Sequence, residues 1–290
     1  QWSFSPAVIK VKKGDLVAHH IDDSVQDVEQ IDLQPYTNDN AAIDDKSIKI
    51  RGGNNYNRYL KIDKAFCRLM GLFAADGHSE PYNHTIKITQ HIKEKNDQFI
   101  TEMFHRLGNI SIYQYKKRNA IAYINSSSIH ARFFHTHFKK GNNKQLPDFI
   151  TTLSTDKQKE ILIGLCMGDG HFCKDRNTTI YTTISPKLTE QIKQILYRLR
   201  IYFNVHVDNR GGNRRPQYRF EIPGDIQNGE FVKKRSSTNK LYYKQYLFRK
   251  IKDIQPIDYN EKYIYNIEVK EDHCYTSKIS GIKNCEGFGM

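Results

Sequence analysis

Two aspartates close two apolar stretches that read as helices. Asp76 ends the first, within "FCRLMGLFAADGHSE" (66–80), and Asp169 ends the second, within "EILIGLCMGDGHFCK" (160–174). A carboxylate is disfavoured at a helix C-terminus, where the macrodipole is already negative. Gly71 and Gly164 stand inside these helices, where each glycine costs about 1 kcal/mol relative to alanine. Both costs recur at one spacing. Gly71 aligns with Gly164, Asp76 with Asp169, Gly77 with Gly170 and His78 with His171, all 93 residues apart. Glycines let two helix backbones approach closely, and helices crossing there would bring their C-terminal aspartates side by side. Two carboxylates so held repel, so one protonates or a cation intervenes. Mg²⁺ (or Mn²⁺) suits such a pair, since it takes one or two carboxylates and completes its shell with water and phosphate oxygens. Such a centre supports metal-assisted hydrolysis of a phosphodiester.

The elements that must position this pair also repeat. "TIKIT" (85–89) matches "TIYTT" (179–183), both strand-like by alternation and β-branching. "KNDQFITEMFHRLG" (95–108) matches "PKLTEQIKQILYRLR" (186–200), both amphipathic helices. Two further strands follow in each copy, and "SSSIHARFFHTHF" (126–138) adds a helix after the first set. A short strand just after each opening helix is expected as well. Two copies are too few for a solenoid, which needs three or more. They predict a pseudo-two-fold protein, as if a homodimer had been fused.

Composition narrows the partner. The chain of 290 residues carries 45 Lys and Arg against 32 Asp and Glu, a formal charge of +13. That excess favours a polyanion. No run of about 18 apolar residues and no basic amphipathic helix points to a membrane. No signal-peptide pattern is present, so an intracellular rather than secreted location is expected. Five cysteines without a CxxC pair give no zinc or redox motif.

The two helices, Leu69–Gly77 and Leu162–Gly170, resemble the paired signature of LAGLIDADG homing endonucleases: glycine third, aspartate eighth, glycine ninth in both copies. Ala74 and Met167 depart from it at the sixth position. The resemblance implies an α+β fold in which two αββαββ-type repeats, about 60–150 and 155–250 within a domain spanning 56–250, form a DNA-binding saddle. It implies a monomer that cuts both strands of a long specific site in double-stranded DNA with Mg²⁺ (or Mn²⁺). Asp76 and Asp169 carry over as metal ligands, helped by the backbone carbonyls of Ala75 and Gly168. "NNKQLPDFI" (142–150) resembles the segment before the second motif in intein-borne members, which makes Lys144 a catalytic residue. By the repeat, "TNKLYYK" (238–244) makes Lys240 its partner, with Lys244 behind it. A lysine there stabilises charge developing at a phosphate.

Strand alternation supplies the DNA contacts. Thr85, Lys87 and Thr89 share one face; so do His206, Asp208 and Arg210, and so do Gln217, Arg219 and Glu221. Arg with guanine and Gln or Asn with adenine are the geometric pairings of major-groove readout. Lys116, Lys117, Arg118, Arg214 and Arg215 are expected to grip phosphates, which position without specifying.

The chain ends resemble something else. Residues 251–290 are similar to the C-terminal blocks of an intein, with His273 assisting cyclisation of Asn284 and Cys285 as acceptor nucleophile; Lys283 stands where a histidine is usual. Residues 1–55 combine a strand region like an intein N-terminal block with a polar linker (22–55), so β-rich remnants of a splicing (Hint) domain are expected around the endonuclease. The first intein block is not in this sequence; the resemblance implies either that it was removed or that it comes as a separate polypeptide, a complementary N-terminal intein fragment as partner. Two other classes remain open: a DNA-binding protein that does not cut, and a trans-splicing fragment.

Overall fold

Both motif helices end at their aspartates, as the sequence suggests. The structure is a computed structural model that describes residues 12–37, 40–82, 84–94, 96–209, 211, 214–232, 240–255, 274–276 and 281–283. In chain order its strands and helices begin with β1 (Leu16–His20), β2 (Gln30–Asp32), β3 (Ala41–Ile43), β4 (Ser47–Ile50), β5 (Asn55–Asn57) and β6 (Tyr59–Lys61). The first repeat follows as α1 (Lys64–Asp76), β7 (Gly77–Glu80), β8 (Thr85–His91), α2 (Asp97–Leu107), β9 (Asn109–Tyr115), β10 (Ala120–Ser126) and α3 (Ser128–His137). The second is α4 (Thr155–Asp169), β11 (Gly170–Cys173), β12 (Thr178–Thr183), α5 (Pro186–Arg198), β13 (Asn204–Asp208) and β14 (Gln217–Pro223). Last come β15 (Lys240–Tyr243), β16 (Tyr246–Lys250), β17 (Cys274–Thr276) and β18 (Gly281–Lys283).

The chain forms two units, one of residues 24–233 and one that joins 1–23 to 234–290. In the larger unit the repeats are two αββαββ halves. Their sheets run β7-β8-β10-β9 and β11-β12-β14-β13, the same order, antiparallel throughout. The short strands β7 and β11 leave directly from the motif glycines, because Gly77 and Gly170 take extended backbone that ends the helix. In β8 the inward set is Ile86, Ile88 and Gln90, all buried, while Thr85, Lys87 and Thr89 point the other way. In β12 the inward set is Thr179, Tyr181 and Thr183. Thr85 therefore corresponds to Thr178, not Thr179. The "TIKIT"–"TIYTT" match is one residue out of register, which would put every side chain on the wrong face. Apolar burial in β8 against two threonines in β12 hides the correct phase from sequence.

Residues 24–55 are a further correction. They are no linker: Leu33 and Ile48 are in the hydrophobic core, and β3-β4-β5 and β2-β6 are small sheets. The acidic residues of this stretch have a structural use. Lys157 of α4, only 9% exposed, meets Asp27 at 2.9 Å and Glu29 at 3.5 Å and donates to the Val28 carbonyl. Arg198 of α5 donates to the Ser24 carbonyl, binding the same segment to the second repeat.

In the smaller unit β1 pairs with β16, which pairs with β15, both antiparallel, and β17 pairs with β18. Strands from before and after the larger unit thus share one sheet. Residues 240–250 contribute β15 and β16 to this unit.

Candidate active site and nucleic-acid interface

The site begins with two glycines. A Cβ on Gly71 would collide with the Ile161 carbonyl oxygen and lie 2.8 Å from the Leu165 nitrogen. A Cβ on Gly164 would collide with the Arg68 carbonyl oxygen and lie 2.7 Å from the Leu72 nitrogen. The relation is reciprocal, 93 residues apart on both sides, so α1 and α4 cross backbone to backbone on a local two-fold. At the far end of both helices Gly168 faces Ala75 and Asp76. A Cβ there would lie 2.8 Å from Asp76 Oδ2 and 2.5 Å from the Ala75 Cβ. Glycine at 168 therefore lets the end of α4 approach the Asp76 carboxylate closely, next to Asp169.

Lys144 reaches both halves. Its Nζ donates to the Ala75 carbonyl at 2.7 Å and stands 3.9 Å from Asp169 Oδ2. The second repeat sets its backbone. Ser185, the N-cap of α5, donates to the Lys144 carbonyl, and the buried Gln191 side chain accepts from the Leu146 nitrogen and donates to the Leu146 carbonyl. A lysine anchored on one repeat thus places its charge over the end of the helix from the other.

Gln90 and Asn96 belong to the site although the strand pattern alone did not single them out. Gln90 Nε2 donates to Asp76 Oδ2 at 3.2 Å, and Asn96 Nδ2 donates to Gln90 Oε1 at 3.0 Å and towards the Met167 carbonyl. The available signal was a glutamine in the apolar phase of β8. A buried amide must find a partner, and here the partner is the motif aspartate. Its counterpart in the second repeat is Thr183, whose Oγ1 instead accepts from the Ser185 nitrogen, so the two halves differ chemically.

The electrostatics are those of a crowded acidic pair. Burial pushes the Asp76 carboxyl up to about 6, the Asp169 charge adds to this, and the Gln90 donor and the Lys144 charge oppose it. Asp169 keeps 40% of its side-chain surface open, yet burial of its remaining sides also raises it, against Lys144. Repulsion between two charges is mutual, so both aspartates share its upward push. Glu94 lies within the same field: burial, Asp76 and Asp169 all raise its carboxyl, and its Oε2 is buried with no hydrogen-bond partner among the described residues.

These donors fit a hard divalent cation. The two carboxylates with raised pKa and the nearby carbonyls offer oxygen only, the ligand type of Mg²⁺ and Mn²⁺. Among the described residues no cluster of three or more His, Cys, Asp or Glu could hold a metal by itself. Protein side chains alone would leave such an ion most of its shell for water and phosphate.

The strand faces assemble as the alternation predicts. Asp208, His206 and Asn204 of β13 lie directly across from Gln217, Arg219 and Glu221 of β14, so all six share a face. Thr182 and Ile180 of β12 continue it. Glu221 is held on this face by Arg219 at 3.4 Å, His206 at 3.6 Å and Arg176 at 3.7 Å, so it orients all three side chains. In the first sheet Lys87 donates to the Tyr115 hydroxyl and lies 5.3 Å from that ring's centre. Lys116, Lys117 and Arg118 form an exposed 3-10 turn joining β9 to β10, and Arg214 and Arg215 precede β14, also exposed.

Lys240 begins β15 opposite Arg249 in the smaller unit, whereas Asp76, Asp169 and Lys144 are in the larger one. Arg210, His273, Asn284 and Cys285 lie outside the described residues. No helix among the described residues is long and apolar enough to cross a membrane.

Residues 156–246 match the family model described as "LAGLIDADG-like domain". Among solved structures, the homing endonuclease I-DmoI in complex with DNA and Mn is 18% identical, with a TM-score of 0.42, covering 56% of this chain and 90% of that one. Mesophilic variants of I-DmoI match at the same identity and TM-score, over 89% of their chain. The N-terminal LAGLIDADG domain of DUF199/WhiA is 13% identical at a TM-score of 0.39, covering 58% of this chain and 80% of that one. No curated protein matches the chain. Residues 156–246, the stretch that matches the LAGLIDADG-like model, carry Asp169 at the end of α4 and the face of Gln217, Arg219 and Glu221.

Proposed function

We propose that this protein is a site-specific, divalent-metal-dependent endonuclease for double-stranded DNA, acting as a monomer inside the cell. The observation that carries the reading is the meeting of Asp76 and Asp169 at the ends of two helices packed through Gly71 and Gly164, with Lys144 between them. A bound Mg²⁺ or Mn²⁺ supplies Lewis-acid stabilisation and an activated water. The chain supplies the rest. Gln90 fixes the rotamer of Asp76, Lys144 holds positive charge where a phosphate gains negative charge, and the polar sheet faces set the duplex in register. The +13 charge draws DNA to that surface.

The chain ends support an intein origin. One sheet is made from β1, ahead of the larger unit, and from β15 and β16 after it, as expected if the nuclease interrupts a separate splicing fold. In that reading His273, Asn284 and Cys285 serve the C-terminal splicing step with a complementary N-terminal fragment. Failure of such a fragment to become ligated through Cys285 would remove it.

The test of the nuclease is incubation with a library of uninterrupted host-gene DNA. Double-strand breaks at one site with Mg²⁺ or Mn²⁺, and none with EDTA, are expected. Tight binding with no breaks under any divalent metal sinks the proposal and leaves a DNA-binding protein. With the substrate in hand, Lys144→Met is expected to slow single-turnover cutting by about 10²–10³-fold while retaining duplex binding by anisotropy. An unchanged rate would remove Lys144 from catalysis.

A further inference from the structure

A cavity of about 220 Å³ lies beside the acidic pair, with Lys144 in its wall. Its floor is apolar, made by Phe73, Ala74 and Phe138, the two rings 5.2 Å apart in edge contact. Its rim is cationic, made by Lys139, Lys140 and Lys144 with His78. Lys139 and Lys140 are exposed and sit ahead of a 3-10 turn at Gly141–Asn143, the connection that delivers Lys144. Nothing in the paired-carboxylate chemistry uses His78, Lys139 or Lys140.

The contacts at the rim are mutually exclusive. His78 Nε2 has the Lys140 ammonium at 3.3 Å and the Glu80 carboxylate at 3.0 Å. A protonated Nε2 donates to Glu80 and offers Lys140 no lone pair. A bare Nε2 accepts from Lys140 and faces a carboxylate lone pair. In neither state does one ring nitrogen satisfy both neighbours. An anion in the cavity resolves the conflict, since it takes the Lys140 protons while Nε2–H remains on Glu80.

We propose, resting on the endonuclease reading, that this cavity seats a second phosphodiester of the DNA strand, next to the one to be cut. The phosphate meets Lys139 and Lys140 and the sugar covers the Phe73–Phe138 floor. Because Lys144 borders both the cavity and Asp169, the seat and the acidic pair share a wall, and a strand gripped at one is placed at the other. The second repeat has no equal grouping among the described residues: His171 is exposed, and the cavity's basic turn comes from the connection between the repeats. The seat is a positioning device on one strand.

The probe is a labelled duplex of random sequence, with affinity followed by anisotropy between about 50 and 200 mM KCl. For Lys139→Ala, Lys140→Ala the slope of log affinity against log salt is expected to become shallower by about 0.9, the value of one phosphate contact. Lys159→Ala, near the opposite end of α4, is expected to leave it unchanged. Lys139→Gln, Lys140→Gln with an unchanged melting temperature guards against misfolding. A wild-type slope in both lysine pairs overturns the seat. The two readings fail separately: a shallower slope in a protein that cuts no DNA keeps the seat and removes the nuclease, while DNA cutting with an unchanged slope does the reverse.

Discussion

Asp76→Asn combined with Asp169→Asn abolishes DNA cutting, by at least about 10³-fold, and leaves binding to duplex DNA intact. Asparagine keeps the size of the side chain and, at Asp76, the hydrogen bond with Gln90 after an amide turn. It removes the negative charge a divalent cation needs. Removing two charges from a surface that meets phosphates also lowers repulsion, so affinity measured without metal is expected to hold or rise. Undiminished cutting by the double variant, assayed on the DNA the wild type cuts, would end the assignment.

The same substitution has a stability signature that catalysis alone would not produce. Burial raises Asp76 from 3.8 to about 6 in the folded protein. Between those values the folded state holds the proton and the unfolded state has lost it, so stability falls as pH rises through about 6. The full shift corresponds to about 3 kcal/mol, less for a carboxyl partly open to solvent. Metal-free wild type is therefore less stable at pH 7.5 than at pH 5, as thermal melts in EDTA would show. Asp76→Asn, which does not titrate, loses that part of the slope and melts higher than wild type at pH 7.5. Added Mg²⁺ recovers stability in wild type and not in the double variant. A metal-free wild type with no loss of stability between pH 5 and pH 7.5 would mean the pair is not crowded as the geometry indicates.

How far the sequence could carry this depends on which residues advertise their surroundings. Gly71 and Asp76 were legible because each is a poor choice locally and both recur 93 residues later. Such repeated local costs imply a tertiary reason. The polar faces of β8, β13 and β14 followed from a period of two. Gln90 was passed over because the alternation "TIKITQH" places it inward, where only tertiary structure reveals Asp76 as its partner. The acidic segment from Asp22 to Glu29 read as a linker because its cations, Lys157 and Arg198, are more than 120 residues away. Lys240 was assigned by extending the repeat past the point where the chain leaves the larger unit.

Gly71→Ala tests the arrangement from the other side of the helix. Alanine is the better helix former by about 1 kcal/mol, so on a solvent-facing position the change would stabilise. Here the new methyl meets backbone, the Ile161 carbonyl and the Leu165 nitrogen, which cannot rotate away as a side chain could. The helices must separate, loosening the packing of Leu69, Leu72, Leu162 and Leu165, all at most 1% exposed. A net loss of about 3 kcal/mol is expected, read as a lower urea midpoint. Gly164→Ala is expected to cost the same, because its methyl meets Arg68 and Leu72 in the mirrored position. The double variant should cost less than the sum, since one separation relieves both clashes. Separation also moves Asp76 from Asp169, so the pH slope above 5 shrinks in the single variants while cutting is lost. A midpoint at or above wild type would show that the helices do not cross at these glycines, and the acidic pair would lose its support.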